Sequence, residues 1–332
     1  MDLLKTLCLT PGIPGHEHRV RQVILNNAKG LFDDIRTDPL GSLICLRRPR
    51  PASKGKRNPK PLKIMLAAHM DQIGFMVKHI DDRGFIRLTN FGGFDPRTLF
   101  ARHVTICTAG GDIPGVLQAG SRPTHIASEE EKKKVPELND FFVDVGLPAV
   151  TAKKQIKIGD MVVLDAPFTR MGKTVTTRAL DNRVACWLVL RTLQQLKHHD
   201  CQIHAVFTVQ EEVGLRGATT AAYDVKPDIG IGIDSTLAVD VPGVPEDQRV
   251  TMLGGGATLT VADSSVISDP ALVAEFERIA EKHNIKHQRS ILARGGTDTA
   301  ATEGPRLAPR GDAVSRHRCG HARRDGGRTG VR

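Results

Sequence analysis

The sequence is poor in aromatic residues, which make up 4% of its 332 residues and include one Trp and one Tyr. Proteins that bind single-stranded nucleic acid stack bases on aromatic rings, so this scarcity argues against such a surface. The six cysteines form no Cys-x-x-Cys pair, which argues against a disulfide scaffold and for a reducing compartment. No apolar run approaches the length of a membrane span, and the N-terminal MDLLKTLCLTPG lacks a signal-peptide pattern. We therefore expect a cytoplasmic protein that binds neither nucleic acid nor a membrane.

The net charge of +10 is concentrated in two segments of the chain. Residues 47–60 contain seven Lys or Arg residues and no acid, and residues 304–332 contain eight Arg against two Asp. Without these two segments the rest of the chain carries a small negative charge. The basic composition therefore belongs to a loop and a tail, and does not by itself indicate an anionic partner.

Three predicted strands, each of them expected to be buried, are followed closely by acidic or histidine side chains. These are residues 64–68 (IMLAA) followed by His69, residues 205–209 followed by Glu211 and Glu212, and residues 229–233 followed by Asp234. Open α/β folds place their sites where parallel strands end. Surface acids at solvated strand ends are the simpler interpretation of any one of these positions. Three such positions in one chain instead predict a shared site.

The His69-Met70-Asp71 motif pairs a possible metal ligand with a possible orienting carboxylate. Asp71 lies two residues after His69, from where it can hold the imidazole in the required tautomer without binding metal itself. Asp181, at the start of a predicted helix, has two interpretations. It is either the N-cap of that helix or a further carboxylate of the site.

Glu211 and Glu212 are adjacent carboxylates at the end of the central predicted strand. Neighbouring side chains on an extended segment point in opposite directions. We therefore expect one of them to bind metal and the other to face the substrate as a proton carrier. A site of His and carboxylates without Cys suits zinc, cobalt or manganese, and two such ions would support hydrolysis.

Two further regions have recognisable patterns. Residues 74–166 contain short β segments rich in Gly and Pro, which predicts a small β-barrel or sandwich inserted into an α/β domain. The predicted segments are residues 84–88, 103–107, 115–118, 141–145 and 161–164. A Gly-Gly-Thr-Asp sequence forms a tight turn that opens a helix. Close approach to substrate and an ordinary turn are equally compatible with its four residues, Gly295, Gly296, Thr297 and Asp298.

Five motifs in order resemble the co-catalytic metallo-aminopeptidases that assemble as tetrahedral dodecamers, some of which have been described as glutamyl or deblocking aminopeptidases or as endoglucanases. They are AAHMDQIGFMV (67–77), RALDNRVAC (178–186), QEEVGLRGA (210–218), the strand that ends in Asp234, and GGTD (295–298). The resemblance implies a metallopeptidase fold, a phosphorylase/hydrolase-like three-layer α/β sandwich with an inserted β-barrel. It also implies peptide substrates and a homo-oligomer. The expected divisions are residues 1–73 and 167–304 for the α/β domain, 74–166 for an assembly insert and 305–332 for a tail.

The resemblance also implies a role for each matched residue. His69 and Asp234 would bind one divalent ion and Glu212 the other, with Asp181 bridging them. Glu211 would be the general base that deprotonates the attacking water.

The chain departs from the family pattern after Gly304. The family continues with a strand, a His that completes the second metal site and a closing helix, whereas residues 305–332 are rich in Arg and Gly. His321, or alternatively His317, lies roughly where the last ligand belongs. A reading-frame shift near codon 305 is one hypothesis for this tail. The alternatives to an active aminopeptidase are an impaired family member and a hydrolase of another class, such as a deacylase or glycosidase.

Overall fold

The computed structural model describes residues 1–52, 60–123 and 125–302. Within these ranges the chain forms eight α-helices: α1 (Asp2–Leu9), α2 (His18–Ala28), α3 (Glu129–Lys133), α4 (Ala149–Gln155), α5 (Leu180–Gln195), α6 (Arg216–Val225), α7 (Pro270–Lys282) and α8 (Thr299–Thr302). The longest, α5, has 16 residues. None of the helices in the described part of the chain combines the length and the apolar character needed to cross a bilayer.

Fifteen β-strands lie in the same ranges: β1 (Asp34–Thr37), β2 (Leu43–Arg47), β3 (Lys63–His69), β4 (Gly74–Ile80), β5 (Ile86–Phe91), β6 (Arg102–Thr108), β7 (Gly111–Ala119), β8 (Phe141–Asp144), β9 (Met161–Leu164), β10 (Thr169–Met171), β11 (Thr174–Thr176), β12 (Gln202–Thr208), β13 (Ile229–Gly232), β14 (Ala257–Ala262) and β15 (His287–Ile291). They form a five-stranded sheet, a closed barrel and two two-stranded sheets. The three strands predicted to precede polar side chains are present as β3, β12 and β13.

The five-stranded sheet has the order β1-β2-β12-β3-β13, and its strands β12, β3 and β13 run parallel. Successive side chains of a strand point to opposite faces. Ala205 and Phe207 accordingly pack into a core with α1, α2 and α5, whereas Val206 packs into a second core with α6. Helices thus cover both faces of the sheet. The predicted three-layer α/β sandwich is confirmed.

Between β3 and α5 the chain forms a closed barrel of strand order β4-β5-β8-β7-β6-β9. Its interior is an apolar cluster that includes Val104, Ile106 and Leu117. Of the two predicted architectures, barrel or sandwich, the barrel is the one that forms. The strand β4, which follows the His-x-Asp motif directly, was not among the predicted strands. The limits 74–166 for the insert stay a prediction.

The strand β13 was expected to be buried, and this expectation is wrong. All of its residues are partly exposed, because β13 lies at the edge of the five-stranded sheet and, within the described ranges, pairs only with β3. Its two glycines lie close to α8. A Cβ on Gly230 would come within 2.1 Å of the Thr302 hydroxyl, and one on Gly232 within 2.2 Å of the Thr299 hydroxyl. Glycine therefore lets α8 pack directly on this strand.

Candidate metal centre

Three parallel strands bring polar side chains to one edge of the central sheet. The strand β3 ends at His69, β12 ends at Thr208 shortly before Glu211, and β13 ends at Gly232 shortly before Asp234. Because β12, β3 and β13 are neighbours and run in the same direction, their carboxyl ends meet at the same edge. The structure therefore brings together the polar groups that follow the three strands.

His69 lies at the centre of this edge and is 1% exposed. Its Nε2 is 3.1 Å from Oδ1 of Asp181, 3.7 Å from Oδ1 of Asp234 and 3.9 Å from Oε2 of Glu211. Two sets of three side chains offer ligand atoms within 4.8 Å of one another: His69 with Glu211 and Glu212, and His69 with Asp181 and Asp234. Since His69 belongs to both sets, the two possible ion positions adjoin.

The expectation that Glu211 and Glu212 point in opposite directions is wrong. The strand β12 ends at Thr208, and Gln210 has a φ of 56°. The chain therefore leaves the extended conformation before it reaches the two acids, and the alternation of strand side chains no longer applies. Both carboxylates lie in one possible ligand set with His69.

Asp71 contacts both the imidazole and the turn that carries the two glutamates. Its Oδ1 is 3.5 Å from Nδ1 of His69, and its carboxylate accepts hydrogen bonds from the N–H groups of Glu211 and Glu212, each at 3.1 Å. Burial favours a higher pKa for Asp71, but the hydrogen bonds from His69 and from these N–H groups hold the pKa below its ordinary value. The geometry is that of a carboxylate that orients His69.

Asp181 does not act as an N-cap of α5, because its carboxylate contacts His69 and accepts no hydrogen bond from a backbone N–H of that helix. The backbone of Asp181 is non-helical (φ −76°, ψ 110°), and its side chain, 62% exposed, reaches Nε2 of His69. The next residue, Asn182, is 1% exposed and donates a hydrogen bond from Nδ2 to the carbonyl of Ile233 at 2.8 Å. This bond ties the start of α5 to the end of β13.

The carboxylates of this edge lie in an environment that disfavours their negative charge. Burial raises the pKa of Glu211 to about 8 and that of Glu212 to about 7, and neighbouring carboxylates add to both shifts. Burial also raises the pKa of Asp234. It opposes the charged form of His69, but hydrogen bonds to Asp181 and Asp234 raise the pKa of His69 well above its ordinary value. One imidazole among several crowded carboxylates is a donor set that fits a divalent transition-metal ion.

The Gly-Gly-Thr-Asp turn lies next to this site. Gly295 has a φ of +105°, in the region that favours glycine. Asp298 is 2% exposed and its carboxylate accepts a hydrogen bond from the Thr208 hydroxyl at the end of β12. Burial raises the pKa of Asp298 to about 6. Asp298 thus stabilises the end of β12 through a buried hydrogen bond. The contact of residues 295–298 with substrate stays a prediction.

Two buried residues of this region were not singled out from the sequence. Asn182 links α5 to β13, and Glu17, 3% exposed, accepts hydrogen bonds from the backbone of Gly15 and of Gln210. In the sequence Asn182 is one polar residue of the RALDNRVAC motif, and Glu17 is an acid near a helix start, a position usually occupied by surface carboxylates. Only their tertiary contacts distinguish Asn182 and Glu17 from exposed polar residues at such positions.

The fold and the His–carboxylate cluster together define a metallopeptidase with an α/β catalytic domain. A profile of the M42 glutamyl aminopeptidases matches residues 52–306. A putative aminopeptidase of Acetivibrio thermocellus is 38% identical over 298 residues, which cover 90% of this chain and 84% of the relative. The TET aminopeptidase of a marine sediment archaeon of the Thaumarchaeota is 30% identical with a TM-score of 0.85, over 92% of this chain and 85% of that structure. The Pyrococcus horikoshii TET1 peptidase, which can assemble into a tetrahedron or a large octahedral shell, is 31% identical with a TM-score of 0.76, over 90% and 86% of the two chains.

The chain belongs to the M42 glutamyl aminopeptidase family. It is an aminopeptidase, a hydrolase that acts on peptides, and the family assignment implies a divalent metal requirement that the two ligand sets fit. The comparisons do not favour the alternative of an impaired family member. The family match ends at residue 306, close to Gly304, after which the sequence departs from the family pattern. His317 and His321 lie outside the described residues, so the last metal ligand stays a prediction.

Proposed function

We propose that this aminopeptidase releases N-terminal residues from peptides through a site for two divalent ions. The observation that carries the proposal is the pair of adjoining ligand sets that share His69. His69 and Asp234 would hold one ion and Glu212 the other, with Asp181 between them. Zinc, cobalt and manganese suit such ligands. His321, or alternatively His317, would complete the second position.

The chemistry at this site divides between the bound ions and the protein side chains. Divalent ions bound there would polarise the scissile carbonyl and lower the pKa of water from about 15.7 toward ~7. Glu211 accepts the proton of the attacking water and passes it to the leaving amine. A carboxylate can take up a proton and release it again, so one side chain can carry out both transfers. Asp71 keeps the His69 ring in the orientation that its contacts require.

The substrate we propose is a peptide with a free α-amino group. The excess of carboxylates at the sheet edge attracts the positive charge of such a group. Residues 295–298 would contact the N-terminal residue of the peptide. A peptide with an acetylated N-terminus carries no charge there. The same site should therefore discriminate strongly against blocked peptides.

We propose that the chain forms a homo-oligomer, with a dodecamer as the expected form. The support is the likeness to the TET1 peptidase, which assembles into closed shells. The insert at residues 74–166 would contribute to assembly, and it exposes large apolar side chains such as Val150 and Ile158, 82% and 73% exposed. Exposed apolar side chains of this kind are common at protein interfaces. Mass photometry of the purified protein tests the oligomeric state.

The location we propose is the cytoplasm. Four cysteines in the described ranges, Cys8, Cys45, Cys107 and Cys186, are buried free thiols. Free thiols are typical of proteins in reducing compartments. Subcellular fractionation of the native host tests this proposal.

The proposed function is tested with a panel of aminoacyl p-nitroanilides and the same compounds acetylated at the α-amino group. Protein loaded with zinc, cobalt or manganese should hydrolyse the free compounds. It should hydrolyse the acetylated ones at least about 100-fold more slowly, since an interaction with the charged amine is lost. Equal rates on free and acetylated compounds would contradict an aminopeptidase. The side-chain preference follows from the ranking within the free set.

A further inference from the structure

Glu17 is a buried carboxylate to which the proposed mechanism assigns no role. It lies directly before α2 and is 3% exposed. Its Oε1 accepts a hydrogen bond from the N–H of Gly15 at 2.8 Å and another from the N–H of Gln210 at 3.1 Å. Gln210 lies 193 residues after Glu17 in the sequence. The second bond therefore joins the N-terminal segment to the turn that carries Glu211 and Glu212.

The turn at Gln210 requires stabilising contacts from other segments of the chain. Gln210 has a φ of 56°, a left-handed conformation that residues other than glycine seldom adopt. Such a conformation persists where surrounding contacts hold it. It is also the conformation that directs both glutamates to His69, because it ends the extended backbone of β12 just before them.

Two carboxylates hold this turn through three consecutive N–H groups. Glu17 accepts from Gln210, and Asp71 accepts from Glu211 through Oδ1 and from Glu212 through Oδ2. The two carboxylates come from different segments, one before α2 and the other after β3. Their hydrogen bonds therefore fix the turn from two separate elements.

Another residue already anchors the N-terminal segment. Arg183, which is fully buried, donates hydrogen bonds to the carbonyl oxygens of Leu7, Thr10 and Gly12. The N-terminal segment is thus tied to α5 independently of Glu17. This leaves the contact with Gln210 as the distinctive contribution of Glu17.

We propose that Glu17 is a positioning residue for catalysis: through the backbone of Gln210 it holds the turn in which Glu211 and Glu212 face His69. This inference rests on the proposed function, because it assumes that Glu211 moves the proton and that Glu212 binds metal. Glu17 itself belongs to neither of the two possible ligand sets. Its removal should let the turn relax and displace both glutamates.

The test compares Glu17→Ala and Glu17→Gln with matched changes at Asp38. Asp38 is also buried, 8% exposed, and its Oδ1 accepts the N–H groups of Gly41 and Ser42 at 2.7 and 2.8 Å. Asp38→Ala and Asp38→Asn therefore remove a comparable buried carboxylate that does not hold the catalytic turn. All variants are assayed as folded, metal-loaded protein, and zinc binding to the metal-stripped forms is measured by calorimetry.

Glu17→Ala should lower kcat about 100-fold, the size of effect that a 1 Å misplacement of reacting groups produces, with KM nearly unchanged. Its zinc affinity should fall roughly tenfold, because a ligand loses its support. Glu17→Gln keeps an oxygen that can accept both N–H groups, so it should recover most of the lost kcat and remain roughly three- to tenfold below wild type. The Asp38 variants should keep kcat within about twofold.

Unchanged kcat and zinc affinity in Glu17→Ala would overturn the inference, and so would an equal loss in the Asp38 variants. If Glu17→Ala does not fold, Glu17→Gln decides, and an unaltered kcat in it overturns the inference. Glu211→Gln, assayed in parallel, separates the two levels of the proposal. Wild-type turnover in Glu211→Gln would refute the assignment of Glu211 as the base. If Glu211→Gln is inactive while Glu17→Ala is fully active, the positioning role of Glu17 is refuted and the proposed function stands.

Discussion

The barrel and the carboxyl edge of the central sheet both bury their side chains, but the chemistry of the buried groups differs. The interior of the barrel is an apolar cluster around residues such as Val104 and Leu117. The sheet edge instead buries polar groups, among them His69, Asp71 and Asp298. An apolar core requires matching volumes, whereas each buried polar group requires a partner at the right distance. A substitution should therefore affect stability in the barrel and activity at the edge.

The largest effect at the edge is expected from Asp181→Ala. Asp181 is the proposed bridge between two ions and is 62% exposed, so its removal should leave the fold intact while both ions are lost. Turnover should disappear with them. Inductively coupled plasma mass spectrometry of the dialysed variant gives the ion content, and circular dichroism serves as the control for folding. Full metal content in the variant would refute the bridging role.

Glu211→Gln should separate chemistry from metal binding. The amide keeps the size of the side chain but cannot accept and release the proton, so kcat should fall by about 10³-fold. Metal content should stay at the wild-type level, because Glu211 is not one of the proposed ligands. The comparison is made on samples whose ion content has been measured. Kinetics equal to those of wild type would refute the assignment of the base.

Leu117→Ala, in the barrel, should lower the free energy of unfolding and leave kcat nearly unchanged. Leu117 is 1% exposed in the apolar cluster, and removal of a buried leucine side chain typically costs about 2–5 kcal/mol of unfolding free energy. Denaturant unfolding measures this loss, and kcat of the folded variant should remain within about twofold of wild type. Ile158→Ala, at a site 73% exposed in the same insert, is the control and should change stability by less than about 0.5 kcal/mol. A large loss of kcat in folded Leu117→Ala would remove the proposed contrast between the two regions.

The smallest effect is a pH dependence of the metal-stripped protein. Folding raises the pKa of Glu211 from 4.5 to about 8 and that of Glu212 from 4.5 to about 7. A raised pKa means that the folded state holds the proton more tightly, so this stabilisation is present at low pH and is lost as the pH rises through these values. The melting temperature should fall by a few degrees between about pH 5 and about pH 8. A melting temperature that rises over this range would contradict the assigned burial, and metal-loaded protein should show a weaker dependence.

The sequence allowed the elements that carry the site to be predicted, because each is a short apolar run followed by polar residues. The strand that ends at His69 and the strand before Asp234 follow this pattern, and both are present as β3 and β13. The three-layer sandwich and the barrel could also be predicted, from the resemblance and from the alternation of strand and helix patterns.

The details of the site depend on tertiary contacts that no local pattern reveals. The left-handed conformation of Gln210 could not be predicted, since glutamine has no preference for it, and the directions of Glu211 and Glu212 depend on it. The burial of Glu17 likewise depends on a contact between distant segments. The partial exposure of β13 follows from the strand order of the sheet, which its own residues do not encode.

The central claim is that divalent ions at the sheet edge enable peptide hydrolysis, and a metal titration tests it most directly. Metal-stripped protein is titrated with zinc or cobalt, and the ions bound per chain are measured in the same samples as the turnover of an aminoacyl p-nitroanilide. The account predicts that turnover rises with occupancy and levels off at about two ions per chain. Full turnover without a bound divalent ion, or none in folded protein that holds both ions, would contradict it.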